Sequence, residues 1–330
     1  MSSGRLSRPL PRRGRGTPVL AVLAVSMSVA MLPRWYARTP LPAPRQEVGV
    51  ALARGEVFVA GGIVTGPGQV ASVSAYDPLA DAWRAIADLP YPVHHVGFAA
   101  VGDRLFAFGG LQGRTQALAG TWEYDFLADA WLPRAAMPTA RGAMGVAVAN
   151  GLVFAAGGED GVGSVADFAA YDPVADVWTA LPPLAFARNH CAAGAVHGRV
   201  IVAAGRASAF RNFVPETEIY DPVTGTWSFG ADIPTPRGGC AGAAVADLLV
   251  VAGGEGNLAH PDGVFDAVEV YDPAADSWSS LPPMPTPRHG MGAVAAYLPG
   301  RDLALVLVPG GATRQGFGPS AVNQLLAFRP

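Results

Sequence analysis

The sequence predicts an all-β fold of six small sheets arranged in a ring, and three repeated features predict it. A glycine pair, a tyrosine-aspartate pair and a tryptophan recur in the same order along almost the whole chain. Spacings of 48, 47, 49 and 51 residues separate the tryptophans Trp83, Trp131, Trp178, Trp227 and Trp278. A period of this length is typical of one supersecondary unit per repeat.

Each repeat contains four short apolar runs separated by turn residues. In the third repeat they occupy residues 145–149, 152–156, 166–171 and 177–179. Runs this short, rich in Val, Phe, Tyr and Trp and bounded by Gly, Pro and Asp, are typical of strands. One four-stranded sheet cannot bury both of its faces, so we expect the repeats to stack radially as the blades of a β-propeller.

The repeated glycines and tryptophans have structural explanations. A tryptophan buries about 150 to 250 Å², so we interpret one per blade as fixing the fourth strand against its neighbour. The tryptophans in register are Trp35, Trp83, Trp131, Trp178, Trp227 and Trp278. The glycines that end the second strands are Gly61, Gly62, Gly109, Gly110, Gly157, Gly158, Gly205, Gly253, Gly254, Gly310 and Gly311, with Ala204 replacing one member of the fourth pair.

The two ends of the chain complement each other. Trp35 precedes Trp83 by 48 residues, and residues 35–45 mirror residues 278–288. The last repeat lacks its tyrosine and tryptophan. We therefore predict a six-bladed ring in which an N-terminal fourth strand completes the last blade and removes the open sheet edges.

This arrangement resembles the Kelch-repeat propellers, whose motif combines a glycine pair after strand two, a tyrosine near the end of strand three and a tryptophan on strand four. The resemblance covers residues 34–330. It implies a six-bladed Kelch propeller that acts as a protein-binding or glycan-binding scaffold. An exported single-domain Kelch propeller is also similar to N-acetylneuraminate epimerase, a sialic-acid mutarotase, which implies a sugar epimerase as the alternative.

The N-terminus predicts export. Five arginines precede an apolar run at residues 17–32, and the small residues Ser28, Val29 and Ala30 suit cleavage. This plan is typical of a secretory signal peptide, with an uncleaved membrane anchor as the alternative. We therefore divide the chain into a signal peptide at 1–30 and a propeller at 31–330, placed in the periplasm or outside the cell.

The charge of the mature chain argues against nucleic acid as a partner. Removing residues 1–30 leaves 18 basic residues against 26 acidic ones, a formal net charge of −8. Such a surface suits a phosphate backbone poorly. We expect a monomer that binds a protein or an acidic small molecule or glycan.

Function is expected at one face of the ring, where the longer loops and the starts of the innermost strands lie. Guanidinium groups present planar forks of donors that suit carboxylates. The candidate binding residues at the channel mouth are Arg45, Glu47, His94, His95, Arg141, Arg188, His190, Arg237, Arg288 and His289. In Kelch-like ubiquitin-ligase adaptors, arginines at this motif position reach the ligand. The structural alternative is that the arginines bond to loop carbonyls or to acids of adjacent blades.

The sequence leaves open whether the protein is a catalyst and whether its two cysteines form a disulfide. Glu47 as base and His95 or His190 as acid suit the epimerase alternative, although a non-catalytic module is the first expectation. His94, His190 and His289 lack a close spacing typical of metal ligands, so neither a metal nor another cofactor is expected. Cys191 and Cys240 occupy equivalent positions in neighbouring blades, and the sequence leaves open whether they pair.

Overall fold

The computed structural model describes residues 32–66, 68–207 and 212–330. Residues 1–30 lie outside the described residues, so the signal peptide stays a prediction from the sequence. The described chain forms six four-stranded antiparallel sheets, which confirms the six-bladed propeller.

The chain enters the ring with β1 (Arg34–Ala37). The first blade follows with β2 (Gly49–Ala53), β3 (Glu56–Ala60), β4 (Val73–Asp77) and β5 (Ala82–Ile86). The second blade spans β6 (Gly97–Val101), β7 (Arg104–Phe108), β10 (Thr121–Asp125) and β11 (Ala130–Arg134). Between β7 and β10, the loop forms a small hairpin of β8 (Leu111–Gln112) and β9 (Gln116–Ala117).

The third and fourth blades are the most regular. The third contains β12 (Gly145–Ala149), β13 (Leu152–Ala156), β14 (Phe168–Asp172) and β15 (Val177–Leu181). The fourth contains β16 (Ala192–Val196), β17 (Arg199–Ala203), β18 (Thr217–Asp221) and β19 (Thr226–Gly230).

The last two blades complete the ring. The fifth blade contains β20 (Ala241–Val245), β21 (Leu248–Ala252), β22 (Val268–Asp272) and β23 (Ser277–Leu281). The sixth contains β24 (Val294–Leu298), a 3-10 turn (Pro299–Arg301), β25 (Leu303–Pro309) and β26 (Asn323–Phe328). Its fourth strand is β1, so the sheet order is β1-β26-β25-β24.

The ring closes as the sequence predicts. β1 pairs antiparallel with β26, with Arg34 opposite Ala327 and Ala37 opposite Gln324. The indole N–H of Trp35 donates to the carbonyl of Pro282 in the fifth blade, at 2.9 Å. The first residues of the described chain therefore join the two ends of the sequence in one sheet.

The blades are held together by apolar side chains at their interfaces. In the described ranges, six hydrophobic clusters each combine residues of two neighbouring blades, and together they cover all six interfaces. Five of the six repeat tryptophans donate their indole N–H to a backbone carbonyl of the preceding blade, as Trp131 does to Ala87 at 2.9 Å. Trp178 donates to the hydroxyl of Thr121 instead, at 3.0 Å.

The aspartate of the outer hairpin also joins neighbouring blades. Asp176 accepts hydrogen bonds from the Tyr171 hydroxyl at 2.7 Å and from the Ala135 N–H of the preceding blade at 2.9 Å. Asp81, Asp129 and Asp276 make the same two bonds in their blades. In the fourth blade Gly225 stands at this position.

The innermost strands β2, β6, β12, β16, β20 and β24 surround a central channel. They start at one face of the ring, where the loops between second and third strands also lie. We call this the loop face, and the opposite face, which carries the hairpins between third and fourth strands, the hairpin face. We call the opening of the channel on the loop face the channel mouth.

Candidate functional site

A closed ring of six backbone hydrogen bonds surrounds the channel mouth. Each N–H donates to the carbonyl of the equivalent residue in the preceding blade, over 2.6 to 3.0 Å. All six residues have positive φ, between 53° and 66°, which turns the chain sharply before the innermost strand begins. The members of this ring are Glu47, His95, Ala143, His190, Gly239 and Gly290.

Three side chains of the ring converge on one another. The Glu47 Oε2 atom lies 2.9 Å from His95 Nε2 and 3.9 Å from His190 Nε2. The two Nε2 atoms are 2.8 Å apart. The side chains of Glu47, His95 and His190 are only 8%, 12% and 6% exposed. The structure therefore brings together three of the residues that the sequence places at the channel mouth.

Small residues at the other ring positions leave room for this cluster. A Cβ atom on Gly290 would lie 2.5 Å from Glu47 Oε1, which is too close for the carboxylate to stay in place. A Cβ atom on Gly239 would lie 3.3 Å from the Cβ of His289. Glycine at these two positions thus allows the acidic and imidazole groups to lie over the ring.

A second set of charged groups lies next to the cluster. His289 Nδ1 is 3.4 Å from Glu47 Oε1 and 3.7 Å from Glu255 Oε2. Glu255 also forms an ion pair with Arg206, whose Nε donates to Asn189 Oδ1 at 3.2 Å. These contacts connect the first, fourth, fifth and sixth blades through buried polar groups.

The environment sets the charge of these groups. Burial raises the pKa of Glu47, but His95, His289 and His190 outweigh it, and the pKa lies well below its ordinary value. Burial and Arg206 hold the pKa of His190 well below the usual range of an imidazole. Burial also lowers the pKa of His289, yet the Glu47 and Glu255 carboxylates reverse this effect and leave it raised. The cluster thus combines an anionic carboxylate with a neutral imidazole.

His94 supports the cluster from outside the ring. Its Nδ1 faces Nδ1 of His95, and its Nε2 lies 3.0 Å from the carbonyl oxygen of Gly113. Burial, with a smaller contribution from His95, lowers the pKa of His94 to about 4. His94 therefore orients His95 and does not contact the centre of the cluster.

The five repeated arginines do not form a ring of exposed guanidinium groups, which corrects the prediction that they line the channel mouth. Their exposed fractions are between 0% and 2%, and each donates to groups of its own blade. Arg188, for example, donates to the carbonyl of Glu216 at 2.9 Å and to Glu218 Oε1 at 2.7 Å. The residues concerned are Arg45, Arg141, Arg188, Arg237 and Arg288.

The channel below the ring is narrow and mostly apolar. The next layer consists of Val48, Val96, Met144, Cys191, Cys240 and Met291. A cavity of about 90 Å³ lies between this layer and the ring, and one of about 140 Å³ follows below. Both cysteines are free and buried, and burial raises the pKa of Cys191 to about 11.

A larger groove opens outside the channel, between loops of the fifth and sixth blades. Its volume is about 540 Å³, and its walls include Leu258, His260, Asp262 and Arg314. Arg314 is 73% exposed on its side chain and lies 3.5 Å from the carboxylate of Asp262. The N–H of Gln315 donates to the carbonyl of Asp262 at 2.7 Å, which ties the two loops together.

Two charged residues that lie beside the cluster at the channel mouth were not predicted from the sequence. Arg206 and Glu255 each directly follow a glycine pair or its equivalent, where the other blades carry Ile63, Leu111, Glu159 and Ala312. Each of these six residues forms a backbone bridge with the residue that follows the repeat arginine or its equivalent. The side chain at this position is apolar in some blades and charged in others, and this difference in the sequence could have identified Arg206 and Glu255.

Comparison with known proteins shows which proteins this chain resembles. The Kelch motif matches at residues 44–90, 92–138, 140–185, 187–234 and 236–285. The structure reported as "Structure of YjhT" superposes with a TM-score of 0.71 at 16% identity, covering 88% of this chain and 96% of that chain, which shows a shared fold. No curated protein sequence matches the chain.

Among the described residues, no helix is long and apolar enough to cross a membrane. The Kelch motifs together cover well over half of the sequence and coincide with the first five blades. The tryptophans, glycine pairs and closing strand agree with the same architecture. The chain therefore belongs to the Kelch-repeat family.

Proposed function

We propose that this chain is an exported Kelch propeller that binds a protein or an acidic glycan on its loop face. The observation that carries the proposal is the groove of about 540 Å³ between the loops of the fifth and sixth blades. Its volume lies within the range of about 300 to 1,000 Å³ typical of ligand pockets. Inside the channel, the two cavities next to the ring, of about 90 and 140 Å³, lie below that range. A third channel cavity, of about 330 Å³, lies at the lower end of the range, but it is lined by the innermost strands and lies away from the loop face.

The composition of the loop face supports a binding role. Val162, Leu258 and Phe317 are 96%, 75% and 47% exposed on loops of three different blades. Arg314 supplies an exposed guanidinium group at the edge of the groove, and such groups bind carboxylates through paired donors. An acidic glycan or peptide would therefore meet both apolar surface and a cation.

The proposal is tested by binding of the labelled, purified protein to an array of acidic and neutral glycans and acidic peptides. We expect acidic ligands to bind, and Arg314→Gln and Leu258→Ser to weaken that binding about tenfold or more. Val223→Ser on the hairpin face and Arg199→Gln on β17 are matched controls that should bind like the parent. Equal binding by all four variants would place the ligand elsewhere.

Export is supported by the arginine-rich start, the apolar run at residues 17–32 and the small residues Ser28 to Ala30. Expression of the full chain in a bacterium, followed by fractionation and mass spectrometry of the recovered protein, tests it. We expect a periplasmic or extracellular product that begins shortly after Ala30. A full-length product confined to the cytoplasm would contradict export.

A sugar epimerase is the second candidate, and the contact between Glu47 and His95 favours it. A carboxylate and an imidazole 2.9 Å apart can serve as base and acid in proton transfer. The cavity beside them is smaller than typical ligand pockets, so a sugar would have to approach from the channel mouth. NMR measurement of anomeric equilibration of sialic acid tests this, with Glu47→Gln as the inactive comparison.

A further inference from the structure

The hydrogen-bond partners of two histidines fix where their protons lie. Arg206 Nε donates to Asn189 Oδ1, so that oxygen is an acceptor, and His190 Nδ1 lies 2.8 Å from it. His190 Nδ1 therefore carries a proton and donates. Since a neutral imidazole has one N–H, its Nε2 presents a lone pair to the channel axis.

The same reasoning applies to His95 through His94. His94 Nε2 lies 3.0 Å from the carbonyl of Gly113, so this nitrogen donates and His94 Nδ1 accepts. His95 Nδ1 faces that acceptor and must carry the proton. The Nε2 of His95 then also presents a lone pair toward the axis.

Three electron-pair donors consequently face one another in a buried space: the Nε2 atoms of His95 and His190 and a carboxylate oxygen of Glu47. They are separated by 2.8, 2.9 and 3.9 Å, and no hydrogen atom lies between them in the neutral tautomers. Such an arrangement is unfavourable unless a cation is shared among the three atoms. Two histidines and one carboxylate form a set that binds zinc in known enzymes.

We propose that Glu47, His95 and His190 bind one divalent transition-metal ion, with Zn²⁺ as the ion that best suits this donor set. In a tetrahedral site with bonds of about 2.0 to 2.1 Å, neighbouring donors lie roughly 3.3 Å apart. The three separations in this structure fall on both sides of that value. Asn189 and His94 supply the outer hydrogen bonds that hold metal-binding imidazoles in place.

The surroundings accept such a charge. Arg206 is paired with Glu255, and His289 Nδ1 contacts Glu47 through Oε1 at 3.4 Å, which leaves the Oε2 atom of Glu47 facing His95 and His190. Arg206 Nη2 lies 3.4 and 3.2 Å from the two ring nitrogens of His190, so it contacts the face of the ring and leaves the Nε2 lone pair available. The small residues Gly239 and Gly290 and the cavity of about 90 Å³ leave room for a water molecule as a fourth ligand.

The test uses the purified full-length gene product without an affinity tag, stripped of metal by a chelator. Calorimetric titration with Zn²⁺ should give one site per chain, and Co²⁺ should give the visible absorption of a four-coordinate ion. His190→Asn and Glu47→Gln should each weaken Zn²⁺ binding by about 100-fold or more. Asparagine is chosen because it tolerates the positive φ of 53° at this position.

His197→Asn is the matched control, because His197 also has a positive φ, of 49°, but lies on the surface with a side chain 54% exposed. It should bind Zn²⁺ like the parent. Equal Zn²⁺ affinity in the parent and in His190→Asn would overturn the proposal.

A measurement on the unaltered protein covers the case in which a variant fails to fold. The ¹⁵N resonances of the imidazoles should show Nε2 of His95 and His190 shifting together on addition of Zn²⁺. The competing occupant is a proton on His95 Nε2, shared with Glu47 and His190. Resonances of a doubly protonated His95 that do not change with Zn²⁺ would contradict the metal site.

Discussion

The backbone N–H of Glu47 donates to the carbonyl of Gly290 at 2.6 Å, and this bond joins the first blade to the last at the channel mouth. It is one of six equivalent bonds, so the closure made by β1 and β26 at the rim is repeated at the axis. The Glu47 side chain also lies directly over Gly290. The position of the carboxylate thus depends on glycine in a blade far along the sequence.

Gly290→Ala should displace the Glu47 carboxylate. The new Cβ would lie 2.5 Å from Oε1, and the positive φ of 63° adds a cost of about 1 to 2 kcal/mol for a residue with a side chain. Gly102→Ala is the control, since its φ is 58° and nothing lies within 4 Å of its Cβ. Urea denaturation in chelator should show a larger loss of stability for Gly290→Ala, and equal losses would contradict the contact.

Trp35→Ala should destabilise the ring at its closure. The change removes the indole bond to Pro282 and packing against the sixth-blade core, and we expect a loss of about 3 kcal/mol in the free energy of unfolding. Phe229→Ala, at a side chain 60% exposed on β19, should change stability by less than about 0.5 kcal/mol. A midpoint unchanged by Trp35→Ala, or by deletion of residues 35–39, would refute closure by the N-terminal strand.

Arg188 should matter for folding and not for ligand recognition. It lies 2.7 Å from Glu218, and both side chains are 0% exposed, so Arg188→Met leaves a buried carboxylate without its partner. Such a change costs about 3 to 5 kcal/mol. Denaturant unfolding measures the loss, and Arg199→Met at an exposed position of β17 is the control. A fully stable Arg188→Met variant would contradict the structural role.

The tyrosine-aspartate pairs should make the free energy of unfolding depend on pH. Hydrogen bonds from Ala135 and then Tyr171 lower the pKa of Asp176 below its ordinary 3.8. Because the pKa of Asp176 is lower in the folded protein than in the unfolded chain, its hydrogen bonds stabilise the fold fully at pH values above the unfolded pKa. This stabilisation is lost as the pH falls through the folded pKa. We expect Tyr171→Phe to cost about 1 kcal/mol at pH 7 and less below pH 3.8.

The fourth blade offers a matched control for that experiment. Tyr220 occupies the equivalent position, but Gly225 stands where the other blades carry the aspartate. Thermal unfolding of Tyr220→Phe, followed from pH 7 to pH 3, should therefore differ from the parent by a constant amount. The same acid dependence in both variants would show that the aspartate is not its source.

The side-chain directions of the repeat arginines could not be predicted from the sequence. Arg45 and Glu47 are only two residues apart, and both were predicted from the sequence to lie at the channel mouth. The positive φ of Glu47 breaks the alternation expected of a strand and turns its side chain toward the axis. Arg45, two residues earlier, points into the blade and donates to Ser72 and Ser74.

By itself, the sequence determined the strands, the number of blades and the closure of the ring, because each depends on spacings that are visible along the chain. The tertiary structure alone decided which side chains meet at the axis. Glu47, His95 and His190 come from the first, second and fourth blades, and Arg206 and Glu255 join them from separate loops. Their convergence depends on backbone turns and on the absent side chains of Gly239 and Gly290, since an added atom there would occupy their space.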